Sequence, residues 1–284
     1  MISGQFRRRY ALPGDASSRV HAKVHEQHGG KRQAKARNMK TLVMTDNTQL
    51  LDLARELKQR FPDVDIAQSP GGGLEGIAQV DVAQEIQQLV AEYHLVLSLH
   101  CQQIFPAELL RSLRCINLHP GYNPCNRGWY PHVFSIINGL PAGVTLHEMD
   151  ERIDHGPVIA RRQCPIEPWD TSETLYARLL KIERDLVLEY FPRLLKGDYC
   201  TQVLEEEGNL NTRRDFESLC RIEPDRMATY QQVLDHLRAL THGEYRNAWF
   251  VDEQGRRVYV RVVLEPETGD DMGSVPGSIP RPPA

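Results

Sequence analysis

The fold of this 284-residue chain is decided by the stretch Cys115-Ile116-Asn117-Leu118-His119-Pro120-Gly121. Its apolar residues favour a β-strand, and the Pro-Gly pair ends that strand. Asn117 and His119 stand two residues apart, so on a strand both side chains project from the same face. The stretch therefore predicts a strand whose carboxyl end carries an amide and an imidazole side by side.

Strands and helices alternate on the amino-terminal side of this stretch. Apolar runs predict strands at 40–46, 63–68 and 95–100, and helical spacing predicts helices after a cap at 46–48, at 80–93 and at 106–113. The run 95–100 is almost entirely apolar, which is typical of strands buried on both faces. This alternation predicts an α/β fold with a mostly parallel sheet and right-handed crossovers.

On the carboxyl-terminal side the pattern changes. We expect a short helix at 132–138, paired strands at 142–150 and 157–166, and a long helix from a cap at Thr171 to residue 195. Residues 209–216 are interpreted as a polar loop and 226–240 as a helix. The segments 248–252 and 258–264 predict a β-hairpin, which must dock elsewhere because a lone hairpin cannot hide its apolar face.

A carboxylate completes the chemistry of Asn117 and His119. Ligands of open α/β sheets bind outside the carboxyl ends of the strands, where this pair is expected. An amide can stabilise an oxyanion while an imidazole takes a proton, and acyl transfer needs both. Asp154, in Ile153-Asp154-His155-Gly156-Pro157, is the candidate third member because a nearby carboxylate raises the basicity of an imidazole. A histidine alone is more often structural than catalytic, so the prediction depends on the combination.

Three motifs in this order resemble the folate-dependent formyltransferases: Asn117-x-His119-Pro120, Gly143-Val144-Thr145-Leu146-His147-x-Met149 and Ile153-Asp154-x-Gly156-Pro157. The resemblance covers roughly residues 39–264. It implies a Rossmann-like catalytic domain that moves a formyl group from N10-formyltetrahydrofolate to an amine, with Asn117, His119 and Asp154 as the catalytic triad. The intervening residues 121–131 are similar to the sugar-nucleotide branch and, more narrowly, to N-formyltransferases that act on dTDP-4-amino-4,6-dideoxyglucose.

The resemblance also implies where the two substrates bind. Backbone groups beside the triad are expected to bind the folate, with one histidine lining the same side; the residues are Gln103, Ile104, Phe105, His147, Met149 and Asp150. Aromatic faces stack on bases and sugars, and arginine forks onto phosphate. The acceptor site is therefore expected at Tyr122, Arg127, Trp129, Tyr130, Asn209, Thr212 and Arg213. Each group keeps a structural alternative: a core histidine at 147, a loop anchor at 129, a solvated turn at 209–213 and ordinary packing at 103–105.

Charge separates the first 38 residues from the rest. They carry nine Lys and Arg against two carboxylates, a net charge of +7, which leaves −11 on the remainder of a chain of net charge −4. We expect 1–38 to be a disordered leader, with a nucleic-acid-binding arm as the alternative, and 265–284 to be a flexible tail. Between them, 39–200 are expected to form the catalytic domain and 201–264 an acceptor-binding or dimerisation region.

Composition disfavours several classes of protein. The six cysteines include no CxxC pair, which argues against a zinc site and a disulfide framework and favours a reducing cytoplasm. The His and Cys residues lack metal-ligand spacing, so no metal is expected. The chain has no run of about 18 apolar residues, so it predicts no membrane span. The glycines at 71–73 match neither nucleotide-binding glycine pattern and do not predict a phosphate cradle.

The sequence thus predicts a cytoplasmic sugar N-formyltransferase acting on a dTDP-4-amino-4,6-dideoxyhexose. Its product would serve the O-antigen of lipopolysaccharide or another surface glycan, and the hairpin suggests a homodimer. Phosphoribosylglycinamide formyltransferase is an alternative that residues 127–131 and the C-terminal region disfavour. Methionyl-tRNA formyltransferase would need a basic RNA-facing domain, which the charge of −11 disfavours, so no nucleic-acid partner is expected. A catalytically silent folate- or nucleotide-binding module is disfavoured because all three triad residue types are present.

Overall fold

The computed structural model describes residues 40–267, which form a seven-stranded sheet with helices on both faces and a small C-terminal region. The strands are β1 (Lys40–Thr45), β2 (Val64–Gln68), β3 (Ala78–Gln79), β4 (Tyr93–Leu99), β5 (Arg114–His119), β6 (Arg127–Gly128), β7 (Ala142–Glu148), β8 (Val158–Cys164), β9 (Leu210–Asn211), β10 (Ala248–Val251) and β11 (Arg257–Val260). The helices are α1 (Leu51–Arg60), α2 (Ile86–Glu92), α3 (Ala107–Ser112), α4 (Pro131–Asn138), α5 (Ser172–Lys196), α6 (Arg213–Cys220) and α7 (Tyr230–Leu240), and a 3₁₀ turn at Thr48–Leu50 precedes α1.

The main sheet has the strand order β3-β2-β1-β4-β5-β7-β8. The strands β3, β2, β1, β4 and β5 pair in parallel with one another, whereas β7 is antiparallel to both β5 and β8. Leu97 and Val96, which are successive residues of β4, belong to two different apolar layers. One layer includes Leu57 of α1 and Phe191 of α5, and the other includes side chains of α2 and α3. The predicted α/β class with a mostly parallel sheet is confirmed.

The predicted helix at 80–93 is wrong at both ends. The structure makes a turn at 82–84, where the Asp81 side chain accepts hydrogen bonds from the Ala83 and Gln84 amides and competes with helix formation. Val82 N donates to Gln103 Oε1 at 2.9 Å, so this turn is also tied to a distant loop. At the other end Tyr93 opens β4. Only seven helical residues remain between these two constraints.

The predicted polar loop at 209–216 is also wrong. Leu210 and Asn211 form β9, which pairs in parallel with β6. Thr212 caps α6 through a capping box with Asp215. The Thr-x-x-Asp spacing is a signal for a helix start that the interpretation as a loop overlooked. Similarly, the helix predicted at 226–240 begins only at Tyr230, after the Thr229 cap.

The C-terminal region packs against the main domain, as expected for a hairpin that has an apolar face to cover. Ala248 of β10 is fully buried in the same apolar layer as Leu240 of α7. Arg238 of α7 donates to the carbonyls of Glu167 and Asp170 at 3.1 and 2.8 Å, next to the start of α5. None of the helices within 40–267 is long and apolar enough to cross a membrane. The predictions for 1–38, and for most of 265–284, fall on residues outside the described range.

Candidate active site

Strand β5 sets Asn117 and His119 at the carboxyl edge of the parallel strands. Asn117 pairs with Ser98 of β4 on one side and with His147 of β7 on the other. Because β7 runs antiparallel to β5, it carries a second histidine to a position directly across from the amide. The predicted strand end therefore holds one amide and two imidazoles.

Asp154 lies against this strand end. Its loop leaves the antiparallel pair β7–β8, and Asp154 adopts a left-handed φ of 47°. The carboxylate accepts hydrogen bonds from Asn117 Nδ2 at 2.9 Å and from the Gly128 amide at 3.0 Å. The backbone oxygen of Asp154 accepts from Asn123 Nδ2 at 2.8 Å. Contacts on both its side chain and its backbone fix the carboxylate in an uncommon conformation for a non-glycine residue.

Both histidines face the Asp154 carboxylate. His119 Nδ1 lies 3.4 Å from Asp154 Oδ2, and His147 Nε2 lies 3.6 Å from Oδ1. His147 Nδ1 lies 2.8 Å from the Glu148 carbonyl oxygen, so in the neutral ring this nitrogen carries the proton. His147 Nε2 is then an acceptor, 3.4 Å from Asn117 Nδ2. The four side chains form one polar cluster at the sheet edge.

Burial and neighbouring groups shift the pKa values of His119 and Asp154. Burial lowers the pKa of His119 to about 4, against the opposing attraction of Asp154. Burial alone would raise the pKa of Asp154, but the neighbouring imidazoles of His119 and His147 and the Gly128 N–H hold that pKa below its usual range. At neutral pH the cluster therefore combines an ionised carboxylate with a neutral His119, which is the form that can accept a proton.

Two buried acceptor-capable atoms beside Asp154 find no hydrogen-bond partner among residues 40–267: His119 Nε2 and Asn123 Oδ1. Buried polar atoms are normally satisfied, so such atoms point to an interaction that a substrate completes. Gly121 lies against the His119 ring, since a Cβ at position 121 would be 2.4 Å from Nε2. The backbone after β5 therefore leaves room for the imidazole only because residue 121 has no side chain.

The residues expected to bind folate lie in the loop after β4 (103–105), on β7 (His147) and directly after β7 (149–150). The Gln103 side chain is hydrogen-bonded to the backbone of residues 80–82 and donates to Val80 O at 2.8 Å. Ile104 is 75% exposed, whereas Phe105 is buried in the apolar layer that Met149 also contacts. Asp150 accepts from His155 Nδ1 at 2.7 Å. The structure thus joins His147 to the triad and leaves Ile104 as the free apolar surface of the 101–105 loop.

The residues expected to bind the acceptor divide into two sets. Trp129 and Tyr130 are partly exposed with ring centroids 5.6 Å apart, and the Arg213 guanidinium lies 5.8 Å from the Trp129 ring. The other set is engaged within the protein: the Tyr122 ring with Arg161, Asn209 with Asn126, Thr212 in the α6 cap, and Arg127 buried. The structure therefore gathers an exposed patch of Trp129, Tyr130 and Arg213.

Sequence reasoning missed three groups that hold the site. Asn123 and the Gly128 amide contact Asp154 directly. Asn126, fully buried, donates to the Ser135 hydroxyl and accepts from the Asn209 amide. All three lie in the stretch 121–131, which was interpreted only as an acceptor site. The accumulation of Asn and Gly there was a signal for backbone-supporting turns.

The structure also contains a second polar cluster that no sequence pattern indicated. His100 follows β4, and its Nε2 lies 2.7 Å from Oε1 of Glu183, a fully buried residue of α5. His100 Nδ1 lies 3.1 Å from Asn47 Nδ2, which also donates to the Tyr176 hydroxyl at 2.7 Å. His132 is stacked near Tyr176 at 5.0 Å. These side chains come from four separate elements, so no local pattern predicted their meeting.

Comparison with known proteins identifies the class that this fold and site define. Residues 15–191 match the formyl transferase family, and residues 215–266 match the N-formyltransferase dimerization C-terminal domain. The chain therefore belongs to the formyltransferase family.

The chain is also similar to individual members of this family. The chain is 53% identical to a dTDP-4-amino-4,6-dideoxyglucose formyltransferase of Mycobacterium tuberculosis, over 81% of this chain and 98% of that protein. It is also similar to a solved structure from Mycobacterium tuberculosis, with 52% identity, a TM-score of 0.80 and coverage of 81% and 99% of the two chains. A 4-N formyltransferase of Francisella tularensis matches with 36% identity, a TM-score of 0.78 and coverage of 81% and 99%.

The residues present fit a folate co-substrate. Ile104 offers an exposed apolar side chain, and the backbone of Gln103 and Ile104 is not used by any strand or helix. His119 Nε2 has no hydrogen-bond partner among residues 40–267, while Nδ1 of the same ring faces Asp154. Within 40–267 no three His, Cys, Asp or Glu side chains are grouped so that they could hold a metal ion.

Proposed function

We propose that this protein transfers a formyl group from N10-formyltetrahydrofolate to the 4-amino group of a dTDP-4-amino-4,6-dideoxyhexose. The observation that carries the proposal is the contact of one carboxylate, Asp154, with Asn117, His119 and His147 at the edge of the sheet. The similarity to a dTDP-4-amino-4,6-dideoxyglucose formyltransferase, which extends over 98% of that relative, supports the sugar-nucleotide acceptor.

Each member of the triad has a task that its surroundings suit. The folate supplies the activated formyl group. His119, neutral because burial lowers its pKa to about 4, takes the proton that the amine loses on attack, and it can return this proton to the folate nitrogen as the bond between that nitrogen and the formyl carbon breaks. Asn117 Nδ2 carries two hydrogens; one donates to Asp154, and the other can exchange its long 3.4 Å contact with His147 Nε2 for a bond to the oxygen on which negative charge develops. Asp154 orients both groups and stabilises the imidazolium that forms.

We place the acceptor on the exposed patch of Trp129, Tyr130 and Arg213. Aromatic faces can stack on the base or the sugar, and the arginine can fork onto a diphosphate oxygen. Phe216 of α6 extends the patch, with its ring 4.3 Å from Tyr130. Because Trp129 N donates to Asn211 O at 2.9 Å, the patch is anchored to the pairing of β6 and β9.

We propose that the protein works as a homodimer in the cytoplasm and supplies a formylated sugar for O-antigen or another surface glycan. The match of 215–266 to a dimerization domain supports association of two copies. Apolar side chains in this region are exposed, among them Met227, Tyr230 and Val258, and a partner could cover them. All six cysteines are free, which suits a reducing compartment.

The decisive experiment combines the purified protein with N10-formyltetrahydrofolate and an acceptor, and detects the formylated product by mass spectrometry. The acceptors are dTDP-4-amino-4,6-dideoxyglucose, a 3-amino isomer, glycinamide ribonucleotide and methionyl-tRNA. We expect product only with the first. Formylation of the ribonucleotide or the tRNA instead would overturn the proposal.

Two variants test the triad in the same assay. His119→Ala and Asp154→Asn should each lower kcat by about 10² or more, since general acid–base groups typically contribute that much. His94→Ala, at the amino end of β4 and away from the cluster, is the matched control and should keep wild-type turnover. Urea unfolding of all three variants establishes that they fold. Near-wild-type kcat in a folded His119→Ala protein would remove the assigned base.

A further inference from the structure

Arg127 is buried rather than available to a phosphate. Its side chain is 6% exposed, and its guanidinium is bound on two sides. Nη1 donates to the carbonyl oxygen of Ile153 at 3.1 Å, and Nη2 donates to Glu207 Oε1 at 2.9 Å. Ile153 immediately precedes Asp154, so Arg127 holds the backbone that carries the catalytic carboxylate.

Glu207 reaches the same loop through its second oxygen. Oε2 accepts from Arg152 Nη1 at 2.9 Å, and His155 Nε2 lies 3.6 Å from it. Arg152 and His155 flank Asp154 in the chain. Glu207 therefore bridges Arg127, which contacts the backbone of the Asp154 loop, and Arg152, which belongs to that loop.

The backbone around Glu207 is fixed against the 121–129 segment. The Arg127 amide donates to Asn209 O at 3.0 Å, and the Asn126 amide donates to Asn209 Oδ1 at 2.8 Å. Gly208 packs so closely on Pro124 that a Cβ would lie 1.9 Å from the proline carbonyl oxygen. The carboxylate of Glu207 is thus presented from a segment with little freedom to shift.

The Asp154 loop needs such support. Residues 151–153 are exposed, and Asp154 holds a left-handed φ that costs free energy unless surrounding contacts maintain it. The carboxylate must stay within reach of both Asn117 and His119. Because Gly128, the donor to Asp154 Oδ2, directly follows Arg127, a shift of Arg127 moves the Asp154 side-chain contact and the Ile153 backbone contact together.

We propose that Arg127 and Glu207 form a positioning pair that holds the Asp154 carboxylate in its catalytic place and links the segment leading into the C-terminal region to the active site. The inference rests on the proposed function and concerns the same site. Neither residue touches a reacting atom, so the effect of changing them falls on turnover. Misplacement of a catalytic group by about 1 Å can cost on the order of 10² in rate.

The test compares Glu207→Gln with Glu151→Gln. Glu151 lies in the same loop and pairs with Arg111 at 2.9 Å; its side chain is 64% exposed, against 61% for Glu207. Glutamine keeps the shape of Glu207 and removes its charge. We expect Glu207→Gln to lower kcat by about 10-fold or more while the KM of each substrate changes by less than about twofold. Glu151→Gln should leave both unchanged.

A second readout does not depend on activity. Hydrogen–deuterium exchange of peptides covering 126–129 and 150–157 should speed up in Glu207→Gln and stay at the wild-type rate in Glu151→Gln. Unchanged exchange, an unchanged kcat, or a rise only in the acceptor KM would each overturn the positioning role; the last would assign the pair to acceptor binding. A wild-type protein that transfers no formyl group would instead overturn the proposed function, while the exchange data would still decide whether the pair holds the loop.

Discussion

Among single residues, Asp154 is the one that contacts Asn117, His119 and His147. One oxygen receives the Asn117 amide and faces His147, and the other receives the Gly128 amide and faces His119. An ionised carboxylate that is nearly buried must be paired with donors, which here are Asn117 Nδ2, the Gly128 N–H and His119 Nδ1. The same arrangement leaves His119 neutral and ready to take a proton. These side-chain contacts therefore set the charge of the site.

Two buried histidines should make the stability of the fold depend on pH. Burial lowers the pKa of His119 to about 4 and that of His132 to about 3. In the unfolded chain a histidine takes up its proton near pH 6.5, so stability is complete above that pH and is lost as the pH falls toward 4. We expect each histidine to lower the free energy of unfolding by about 2 kcal/mol at pH 5 relative to pH 8.

Urea unfolding of the wild type and of His132→Phe at pH 8, 6.5 and 5 measures this effect. The decline should be smaller by about 2 kcal/mol in the variant, because it removes one of the buried histidines and keeps an aromatic ring beside Tyr176. The pH 8 values serve as the control for packing. Equal declines in the two proteins would contradict the assignment to His132.

At the scale of elements, the short pairing of β6 with β9 organises the surroundings of the site. Asn126, just before β6, has a left-handed φ of 53° and is fully buried. Its side chain oxygen accepts from the amides of Asn138, Asn209 and Asn211, and its own amide donates to Ser135. One side chain thus joins α4, β6 and β9.

Asn126→Gly isolates the contribution of this side chain, since glycine tolerates the left-handed backbone. The change removes hydrogen bonds to the exposed Asn138, the partly buried Asn209 and Asn211, and the buried Ser135, and each such bond contributes about 0.5–1.5 kcal/mol. We expect the free energy of unfolding to fall by about 2–4 kcal/mol. Asn126→Ala should lose about 1–2 kcal/mol more, because alanine also strains the backbone. A loss below about 0.5 kcal/mol in Asn126→Gly, measured by urea unfolding, would show that the network contributes little.

At the scale of the whole molecule, apolar exposure is concentrated in the C-terminal region. Met227 and Tyr230, at the start of α7, are almost fully exposed, and Val258 of the hairpin is partly exposed. Phe250 pairs with Val258 on the hairpin face that also carries the buried Ala248. The core layer therefore continues into an uncovered surface, as expected for an interface between two copies.

A single charge tests the hairpin as that interface. Val258→Glu places a carboxylate on the apolar face, where burial without a partner is costly, and should weaken dimerisation by about 10²-fold or more. Light scattering after size exclusion should give twice the 32.5 kDa chain mass for the wild type and a lower mass for the variant. Gln254→Glu adds the same charge in the exposed hairpin turn and should remain dimeric. A Val258→Glu protein of unchanged mass would place the interface elsewhere in the C-terminal region.

Features that depend on local periodicity and local chemistry can be predicted from the amino-acid sequence. Alternation of side chains places Asn117 and His119 on one face, proline and glycine end that strand, and the apolar runs define the parallel sheet. The cap at Thr171 likewise marks the start of α5 correctly. These signals involve residues within a few positions of one another, which a single chain displays directly.

Contacts between residues that are distant in the chain become visible only in the folded protein. His147 joins the triad because β7 pairs antiparallel with β5, and Arg127 turns inward because Glu207, 80 residues along the chain, provides its partner. The second polar cluster of His100 and Glu183 likewise joins residues 83 positions apart. Contacts of this kind depend on strand register and helix packing, whose free energy comes from the assembled core, so no local pattern of residues encodes them.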